Sequence, residues 1–309
     1  MPVFLYIPWW KPEPVRIPVP DVAREWFPSL ADHVTVHAFG MLVALGVVIG
    51  AWVAAEKAKR DGMHPSVMNE LAGHMFIGGF VLGHVLDAIF YHWDVVEQNP
   101  WFLLELPNGL SSFGGFVGAV VGALIWKLRR GHSILAFGDM GAFAFPFAWF
   151  FGRLGCFTAH DHPGRVTDFF LGVEGYQVYG GTPPWQVRHD LGLYEVLWCL
   201  AMMPLVLWLG REKRRHGFYL ALVPILYAPV RFGLDFLRAT DIQTADPRPI
   251  AGLTPGHFGA VMLLLAGLGV AARVLKGPEP SIAADARWPE PIPTPDASDS
   301  PDAPAESEA

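Results

Sequence analysis

The sequence predicts an all-α polytopic membrane protein with seven transmembrane helices and a small extracytoplasmic head segment between helices four and five. Hydrophobic residues make up 52% of the 309 residues and charged residues only 17%, whereas soluble globular domains carry about 25% charged residues. The apolar residues also gather into windows of about 20 residues, the length that a helix needs to cross a bilayer. A soluble globule is therefore excluded, and no nucleic-acid partner is predicted.

Seven windows are predicted to span the membrane. In chain order, they are Val36–Ala55, Asn69–Tyr91, Phe113–Leu128, Ile134–Phe157, Leu191–Leu209, Phe218–Leu237 and Gly256–Leu275. The ends of the first, third, fifth and seventh windows hold 12 of the 22 Lys and Arg residues, while residues 92–112 hold none. Because basic residues favour the cytoplasmic side, the N-terminus is predicted to lie outside the cytoplasm and the C-terminus inside.

Three further segments lie outside this predicted 35–276 transmembrane domain or interrupt it. Residues 1–34 contain seven prolines and are predicted to form an arm on the outer membrane surface, with aromatic residues at the interface: Trp9, Trp10, Trp26 and Phe27. Residues 158–190 are punctuated by Gly, Pro and Asp and are predicted to form the head, with short strands. Residues 277–309 are acidic and Pro-rich, and they are predicted to be a disordered tail.

One face of the sixth window carries unusual polarity for a transmembrane helix. Tyr227, Arg231, Asp235 and Arg238 are spaced i, i+4, i+8 and i+11, which places them on one stripe. Charged residues inside a membrane are costly and mark functional sites by default. A structural ion pair would need only Arg231 and Asp235, so the tyrosine and the second arginine favour a site that binds an anion.

Other candidates lie at the same predicted side of the membrane. Glycines flank Arg153 and let a ligand approach, although an arginine that snorkels to the interface is the alternative. Gly114 and Gly115 open the third helix, where free N–H groups suit phosphate but small residues also suit tight helix packing. Tyr194 and Glu195 open the fifth helix, either as part of the site or as an interfacial anchor.

A zinc site is the third possibility for the region that follows Arg153. Cys156, His160 and His162 are ligand types that zinc accepts, but three ligands at uneven spacing make a weak motif. The two cysteines, Cys156 and Cys199, show no CxxC spacing. No metal site and no cofactor are therefore predicted.

Four motifs lie in order between about Val34 and Val274 and extend this interpretation. G-R-x-G-N-F-x-N-x-E-x-x-G-R is matched at Gly152, Arg153, Gly155, Phe157, Asp161, Gly164 and Arg165. R-H-P-x-Q-L-Y-E is matched at Arg188, His189, Leu193, Tyr194 and Glu195. Y-G-x-x-R-F-x-x-E-F-x-R is matched at Tyr227, Arg231, Phe232, Asp235, Phe236 and Arg238, and S-F-H-G-G-L-x-G in part at Gly114, Gly115 and Gly118. On these motifs, the chain resembles the bacterial prolipoprotein diacylglyceryl transferases.

The resemblance implies an inner-membrane enzyme whose active site faces the extracytoplasmic side. Such an enzyme moves the diacylglyceryl group of phosphatidylglycerol to the lipobox cysteine of an exported preprotein, among membrane lipids and without a cofactor. The chain departs from the family at Phe113, which replaces a histidine, at Cys156 and Ala159, which replace asparagines, and at Asp161, which replaces a glutamate. His160 is favoured as the base that assists the thiol, beside His162.

The implied site therefore combines two groups of residues. Arg153, Arg231 and His160 are predicted to be catalytic. The phospholipid headgroup is predicted to contact the remaining candidates together with both arginines: Gly114, Gly115, Asp161, Arg165, Tyr194, Glu195, Tyr227, Asp235 and Arg238. Three alternatives stay open: another acceptor or phospholipid, a paralogue that only binds lipid or preprotein, and an anion- or proton-coupled transporter. The absence of an internal sequence repeat weighs against the transporter.

Overall fold

The structure is a computed structural model that describes residues 6–9, 12–22, 32–104, 111–176, 186–242, 248 and 250–289. The described part of the chain is mostly helical. Its long helices are α1 Ala38–Arg60, α2 Pro65–Tyr91, α3 Ser112–Arg130, α4 Ile134–Ala159, α5 Leu191–Leu209, α6 Phe218–Asp235 and α7 Pro255–Lys276. A short helix at Trp93–Gln98 and a 3-10 turn at Pro100–Leu104 connect α2 towards α3.

Six of these helices are long and apolar enough to cross a membrane: α1, α2, α4, α5, α6 and α7. They identify a polytopic all-α membrane protein. The predicted window Phe113–Leu128 coincides with α3, which has 19 residues and ends in Lys127, Arg129 and Arg130. This helix is not among the six, and the side chains of its first two residues, Ser112 and Phe113, lie outside the described part of the structure.

Polar side chains fix where several helices begin. Ser111 accepts the Gly114 N–H at 3.3 Å, and Ser133 accepts the Ala136 N–H at 3.3 Å. Asp190 likewise accepts the N–H of Leu193 at 2.8 Å. Such caps satisfy N–H groups that have no partner within the first helical turn. They therefore fix the residues at which α3, α4 and α5 begin.

Glycines bring α2 and α3 into direct backbone contact. A Cβ atom at Gly114 would lie 2.6 Å from the Leu82 carbonyl oxygen, and one at Gly118 would overlap the Gly78 carbonyl. A Cβ at Gly122 would overlap the His74 carbonyl in the same way. Small residues at this spacing let two backbones approach closely. For Gly114, the structure therefore shows the tight helix packing that the sequence analysis gave as the alternative to phosphate binding.

Consecutive long helices run antiparallel, so the bundle has two ends. The head end carries residues 158–190 and the start of α5. The basic end carries the last turns of α1, α3 and α7, where basic residues lie: Lys57, Lys59, Arg60, Lys127, Arg129, Arg130, Arg273 and Lys276. Its core contains buried apolar side chains such as Met63, Trp126 and Phe137.

Strands form the head that the sequence predicts. Strands β1 Val15–Pro18 and β2 His33–Val36 pair antiparallel near the N-terminus, with Val15 opposite Val36. In the head, β3 Pro163–Val166, β4 Val173–Tyr176 and β5 Gln186–Asp190 form a three-stranded antiparallel sheet in the order β3-β5-β4. Strand β5 runs directly into α5, so the sheet lies beside the start of that helix.

The N-terminal segment docks on the head. Ile7 donates its N–H to the Gly172 carbonyl at 2.9 Å, and it accepts the Glu174 N–H at 3.0 Å. The Trp9 indole donates to the Phe157 carbonyl at 3.1 Å. Trp9 therefore binds protein rather than serving only as the predicted interfacial anchor. Trp10, Trp26 and Phe27 lie outside the described residues.

Residues 277–289 pack against the basic end, so the prediction of a disordered tail is wrong for them. His64 N–H donates to the Ala286 carbonyl at 2.9 Å, and Trp288 N–H donates to the Gly62 carbonyl at 3.0 Å. Ala286 is fully buried beside Met63. The acidic, Pro-rich composition of residues 277–309 gave no sign that a small apolar residue such as Ala286 would be buried. Residues 290–309, the rest of the predicted tail, lie outside the described residues.

Candidate active site

Charged residues from three helices meet at the head end. Arg153 lies near the end of α4, Glu195 in the first turns of α5, and Arg231 in α6. Arg153 Nε is 2.9 Å from Glu195 Oε2, and Arg231 Nη1 is 3.9 Å from Glu195 Oε1. Two guanidinium groups therefore share one carboxylate. Because these helices are separate in sequence, only the fold brings the three charges together.

Two aromatic residues complete the surroundings of Glu195. The Tyr227 hydroxyl donates to Glu195 Oε2, and the Trp149 indole N–H donates to the same oxygen at 3.0 Å. The Arg153 guanidinium lies over the Trp149 ring, 4.3 Å from its centroid, in a favourable cation–π position. Glu195 is fully buried, and these donors offset the cost of burying its charge.

A second buried carboxylate continues the array along α6. Asp235 Oδ1 lies 2.8 Å from Arg231 Nη2 and 2.8 Å from Arg238 Nε. The Thr254 hydroxyl donates to Asp235 Oδ2, and His257 Nδ1 lies 3.5 Å from it. The i,i+4 pairing of Arg231 with Asp235 agrees with the sequence interpretation. Asp235 thereby connects α6 to the start of α7.

We call this array the arginine ladder: Arg153, Glu195, Arg231, Asp235 and Arg238. Three guanidinium groups alternate with two carboxylates, which leaves one excess positive charge when all five are ionised. Both carboxylates are fully buried, whereas the side chains of Arg153, Arg231 and Arg238 are 11%, 14% and 19% exposed. The charge that a ligand can reach is therefore positive, as an anion site requires.

The chain reverses direction immediately after α4. His160 adopts a left-handed conformation with φ of 53°, which ends the helix. The next residues fold back towards Arg153. Arg153 Nη1 lies 3.8 Å from Cys156 Sγ and 3.4 Å from His162 Nε2, and Asp161 Oδ1 pairs with His162 Nδ1. Asp161 therefore orients the imidazole that contacts Arg153.

His160 lies in different surroundings from His162. Its ring stacks on Trp9 with centroids 3.5 Å apart and an angle of 17° between the planes. Its Nε2 atom is 4.0 Å from Asp190 Oδ2, and its side chain is 8% exposed. Burial lowers the pKa of His160 to about 3. His160 thus helps to dock the N-terminal segment, and the geometry favours His162 over His160 as the residue that assists a thiol.

The two glycines predicted to bind phosphate use their N–H groups within the helix start. Gly114 N–H donates to Ser111 Oγ at 3.3 Å, and Gly115 N–H donates to the Ser111 carbonyl at 2.9 Å. Packing against α2 accounts for Gly114, as described above. The side chain of Phe113, which stands where the similar family has a histidine, lies outside the described part of the structure.

Two other candidates make contacts away from the arginine ladder. The Tyr194 hydroxyl pairs with His189 Nδ1 at 2.6 Å, and this pair lies at the edge of the head. Arg165 donates its backbone N–H to the Leu237 carbonyl at 2.7 Å, while its side chain is exposed. The structure therefore shows no direct contact between either of these two described side chains and the arginines of the charged centre.

Sequence reasoning missed three residues of the site. Trp149 lies in an apolar stretch of α4 and looks like a lipid-facing residue in the sequence. Only the fold shows its contact with Glu195. Thr254 and His257 form a capping box at the start of α7, which the Thr-Pro-Gly-His order could have revealed. Their contact with Asp235 depends on the packing of α6 against α7 and has no local sequence signal.

Comparison with known proteins gives one consistent result. A family model described as prolipoprotein diacylglyceryl transferase matches residues 27–273. A Chromohalobacter salexigens protein named phosphatidylglycerol–prolipoprotein diacylglyceryl transferase is 32% identical over 239 residues, covering 76% of this chain and 86% of that protein. A protein of the same name from Janthinobacterium sp. is 25% identical over 275 residues, covering 83% and 93%. With the ladder on α4, α5 and α6, these matches show that the chain belongs to the prolipoprotein diacylglyceryl transferase family.

Proposed function

We propose that this chain transfers the diacylglyceryl group of phosphatidylglycerol to the lipobox cysteine thiol of prolipoproteins, the first step of lipoprotein maturation. The observation that carries the proposal is the excess positive charge of the arginine ladder, whose accessible groups are guanidiniums. The phosphodiester of phosphatidylglycerol carries one negative charge. A site with one excess positive charge in a membrane therefore suits this headgroup.

The proposed reaction substitutes one bond at the glyceryl carbon. The acceptor thiolate attacks the CH₂ group next to the phosphate, the C–O bond breaks, and glycerol phosphate leaves with the electron pair. Negative charge grows on the phosphate as that bond breaks. Arg153 and Arg231 are held in fixed positions by Glu195, so they stabilise the developing charge without reorganising.

The remaining residues take supporting roles in this proposal. Asp235 orients Arg231 and Arg238, and Tyr227 fixes Glu195. His162 assists the acceptor thiol, because its ring contacts Arg153 and is oriented by Asp161. Arg165, Tyr194, Gly114 and Gly115 border the site and position the headgroup indirectly, through the head and the α2–α3 pair.

We further propose seven membrane spans with the head end outside the cytoplasm of a bacterial inner membrane. Helix α3 packs along α2 with glycine backbones in contact at Gly78 and Gly118, which supports its assignment as a span. Its 19 residues extend about 28 Å, close to the hydrocarbon thickness of about 30 Å. Exported preproteins then meet the arginine ladder on the side where they arrive, among the membrane lipids.

One assay separates this function from its alternatives. Purified protein in detergent micelles with phosphatidylglycerol should add a diacylglyceryl group to a lipobox peptide, detected as a mass increase. A peptide with serine in place of the cysteine should stay unchanged. Transfer only to other thiols, or only from another phospholipid, would redirect the substrate assignment. Binding of lipid or peptide without transfer would indicate a non-catalytic paralogue, and electrogenic anion flux in proteoliposomes without transfer would indicate a transporter.

A further inference from the structure

A thiol, a carboxylate and an imidazole lie together beside Arg153. One ligand atom from each of Cys156, Asp161 and His162 can be chosen so that all three lie within 4.8 Å of one another. In a tetrahedral zinc site with bonds of about 2.0 to 2.3 Å, the ligand atoms are about 3.3 to 3.8 Å apart. Side-chain adjustments of about 1 Å would therefore bring the three atoms to zinc-binding geometry.

We propose that Cys156, Asp161 and His162 bind one Zn²⁺ ion and that the acceptor thiol occupies the fourth coordination position as a thiolate. This inference rests on the proposed transfer reaction and names how His162 assists the thiol. Three protein ligands with one open position are the pattern of catalytic zinc sites, whereas structural sites have four protein ligands. Thiolate is the form in which sulfur is both nucleophile and metal ligand.

The exposure of the three ligands increases in one direction. Cys156 is 9% exposed, while the side chains of His162 and Asp161 are 24% and 41% exposed. The cluster is therefore closed on the side of the helices and open on the side of the head. A peptide thiol that approaches from the head side can reach the fourth position, while the lipid headgroup lies at the arginine ladder.

A cation already lies between two of the proposed ligands. Arg153 Nη1 is 3.8 Å from Cys156 Sγ and 3.4 Å from His162 Nε2. Zinc would take this place with shorter bonds, because a thiolate and a carboxylate neutralise its two positive charges. Arg153 would keep its contact with Glu195 through Nε. Its displaced Nη1 would then be free to bind the phosphodiester.

The proposed zinc ion would promote deprotonation of the acceptor thiol, which Phe113 cannot do because its side chain accepts no proton. A thiol that binds zinc loses its proton, which passes to water. The thiolate sulfur then forms a bond with the glyceryl carbon, and the C–O bond to the phosphate breaks. The balance is one thiol and one phosphodiester consumed, with one thioether, one glycerol phosphate and one proton formed. The neutral thioether is a weaker zinc ligand than the thiolate, so the product can leave.

Metal content measures the site without reference to activity. Wild-type protein purified in detergent and dialysed against zinc should retain about one zinc per chain, measured by elemental analysis. Cys156→Ser and His162→Ala should each reduce the content to about zero. Cys199→Ser is the matched control, since Cys199 is a buried cysteine in α5 without a contact to these ligands, and it should retain wild-type zinc. Thermal unfolding confirms that each variant is folded.

Cobalt substitution tests the open position. Co²⁺ in the site should show a sulfur-to-cobalt charge-transfer band that is lost in Cys156→Ser. Adding a lipobox peptide should intensify this band, whereas a serine peptide should leave it unchanged. Zinc content equal in wild type, Cys156→Ser and His162→Ala would overturn the proposal, as would transfer at the full rate by metal-free protein. If the protein binds zinc and shows the thiol-dependent cobalt spectrum but transfers no diacylglyceryl group, the metal site is supported and the proposed function is refuted.

Discussion

The two ends of the helix bundle bury charge in different ways. At the basic end, Lys57 and Asp61 form an i,i+4 ion pair at 2.7 Å, and Asp139 accepts the Leu220 N–H at 2.8 Å. At the head end, each carboxylate of the arginine ladder receives several donors, and the guanidiniums outnumber the carboxylates. The Lys57–Asp61 pair has no net charge, whereas the arginine ladder carries one excess positive charge when all of its groups are ionised.

This difference shows how a structural ion pair can be told from a binding site. Lys57–Asp61 and Arg231–Asp235 have the same sequence spacing, so spacing cannot separate them. A neutral, fully enclosed pair has no capacity for another ion. An array with one excess charge on its accessible side requires a counter-ion, and in a membrane the phosphodiester of a lipid is the abundant monoanion.

A topology reporter measures which side of the membrane each end of the bundle faces. A reporter that is active only outside the cytoplasm should work when fused at Gly175 in the head and should be silent at Arg214 at the basic end. A fusion at the C-terminus should also be silent. The reverse pattern would place the arginine ladder in the cytoplasm, away from exported preproteins, and would refute the proposed orientation.

Substitutions in the arginine ladder and in the Lys57–Asp61 pair should affect catalysis differently. Arg153→Ala and Arg231→Lys should each lower kcat by about 10²- to 10³-fold, the usual value of a positioned electrostatic donor; lysine cannot reproduce the two-pronged contact. The matched control is the double variant Lys57→Met with Asp61→Leu, since replacing both partners of a buried pair by apolar residues is close to neutral for stability. Wild-type rates in Arg231→Lys would mean that the ladder is structural.

The third test compares two neighbouring histidines of the head. His162→Ala should lower the transfer rate by about 10²-fold, because His162 contacts Arg153. His160→Ala should leave most activity, since its ring stacks on Trp9. A larger loss in His160→Ala than in His162→Ala, with both proteins folded, would restore His160 as the base and would contradict the assignment made from geometry.

The smallest effect concerns pH and the docked N-terminal segment. The folded pKa of His160, about 3, lies below the unfolded value of about 6.5, so its neutral ring stabilises docking above pH 6.5. This stabilisation is lost as the pH falls towards 3. At pH 5, the hydrogen-exchange protection of the Ile7 and Glu174 amides should be about 25-fold lower than at pH 7. His160→Phe, whose ring stacks but cannot protonate, should keep its protection; equal losses in both proteins would contradict this cause.

The sequence predicted what depends on local pattern. The window Ile134–Phe157 corresponds to α4, Ile134–Ala159, because apolar length and a cap at Ser133 fix such a helix. The Arg231–Asp235 contact also follows from i,i+4 spacing. Periodicity predicts which residues share one helix face. The helix windows and the Arg231–Asp235 pair could therefore be predicted from the sequence alone.

The sequence could not predict contacts that depend on how helices rotate and pack. Arg153 and Glu195 lie on different helices, and their 2.9 Å contact requires α4 and α5 to pack in one orientation. The choice between His160 and His162 depended on a single left-handed residue after α4. The order of residues 277–289 depended on the burial of Ala286 in the same apolar cluster as Met63, which composition cannot reveal.

The position of residues 277–289 has a consequence for biosynthesis. Their contacts at Gly62 and His64 complete a core that begins with α1, so the first helix hairpin is finished only after the last helix has been made. The ribosome must release this segment before the basic end can close. We therefore expect truncation after Lys276 to leave the basic end of the nascent bundle open to membrane proteases.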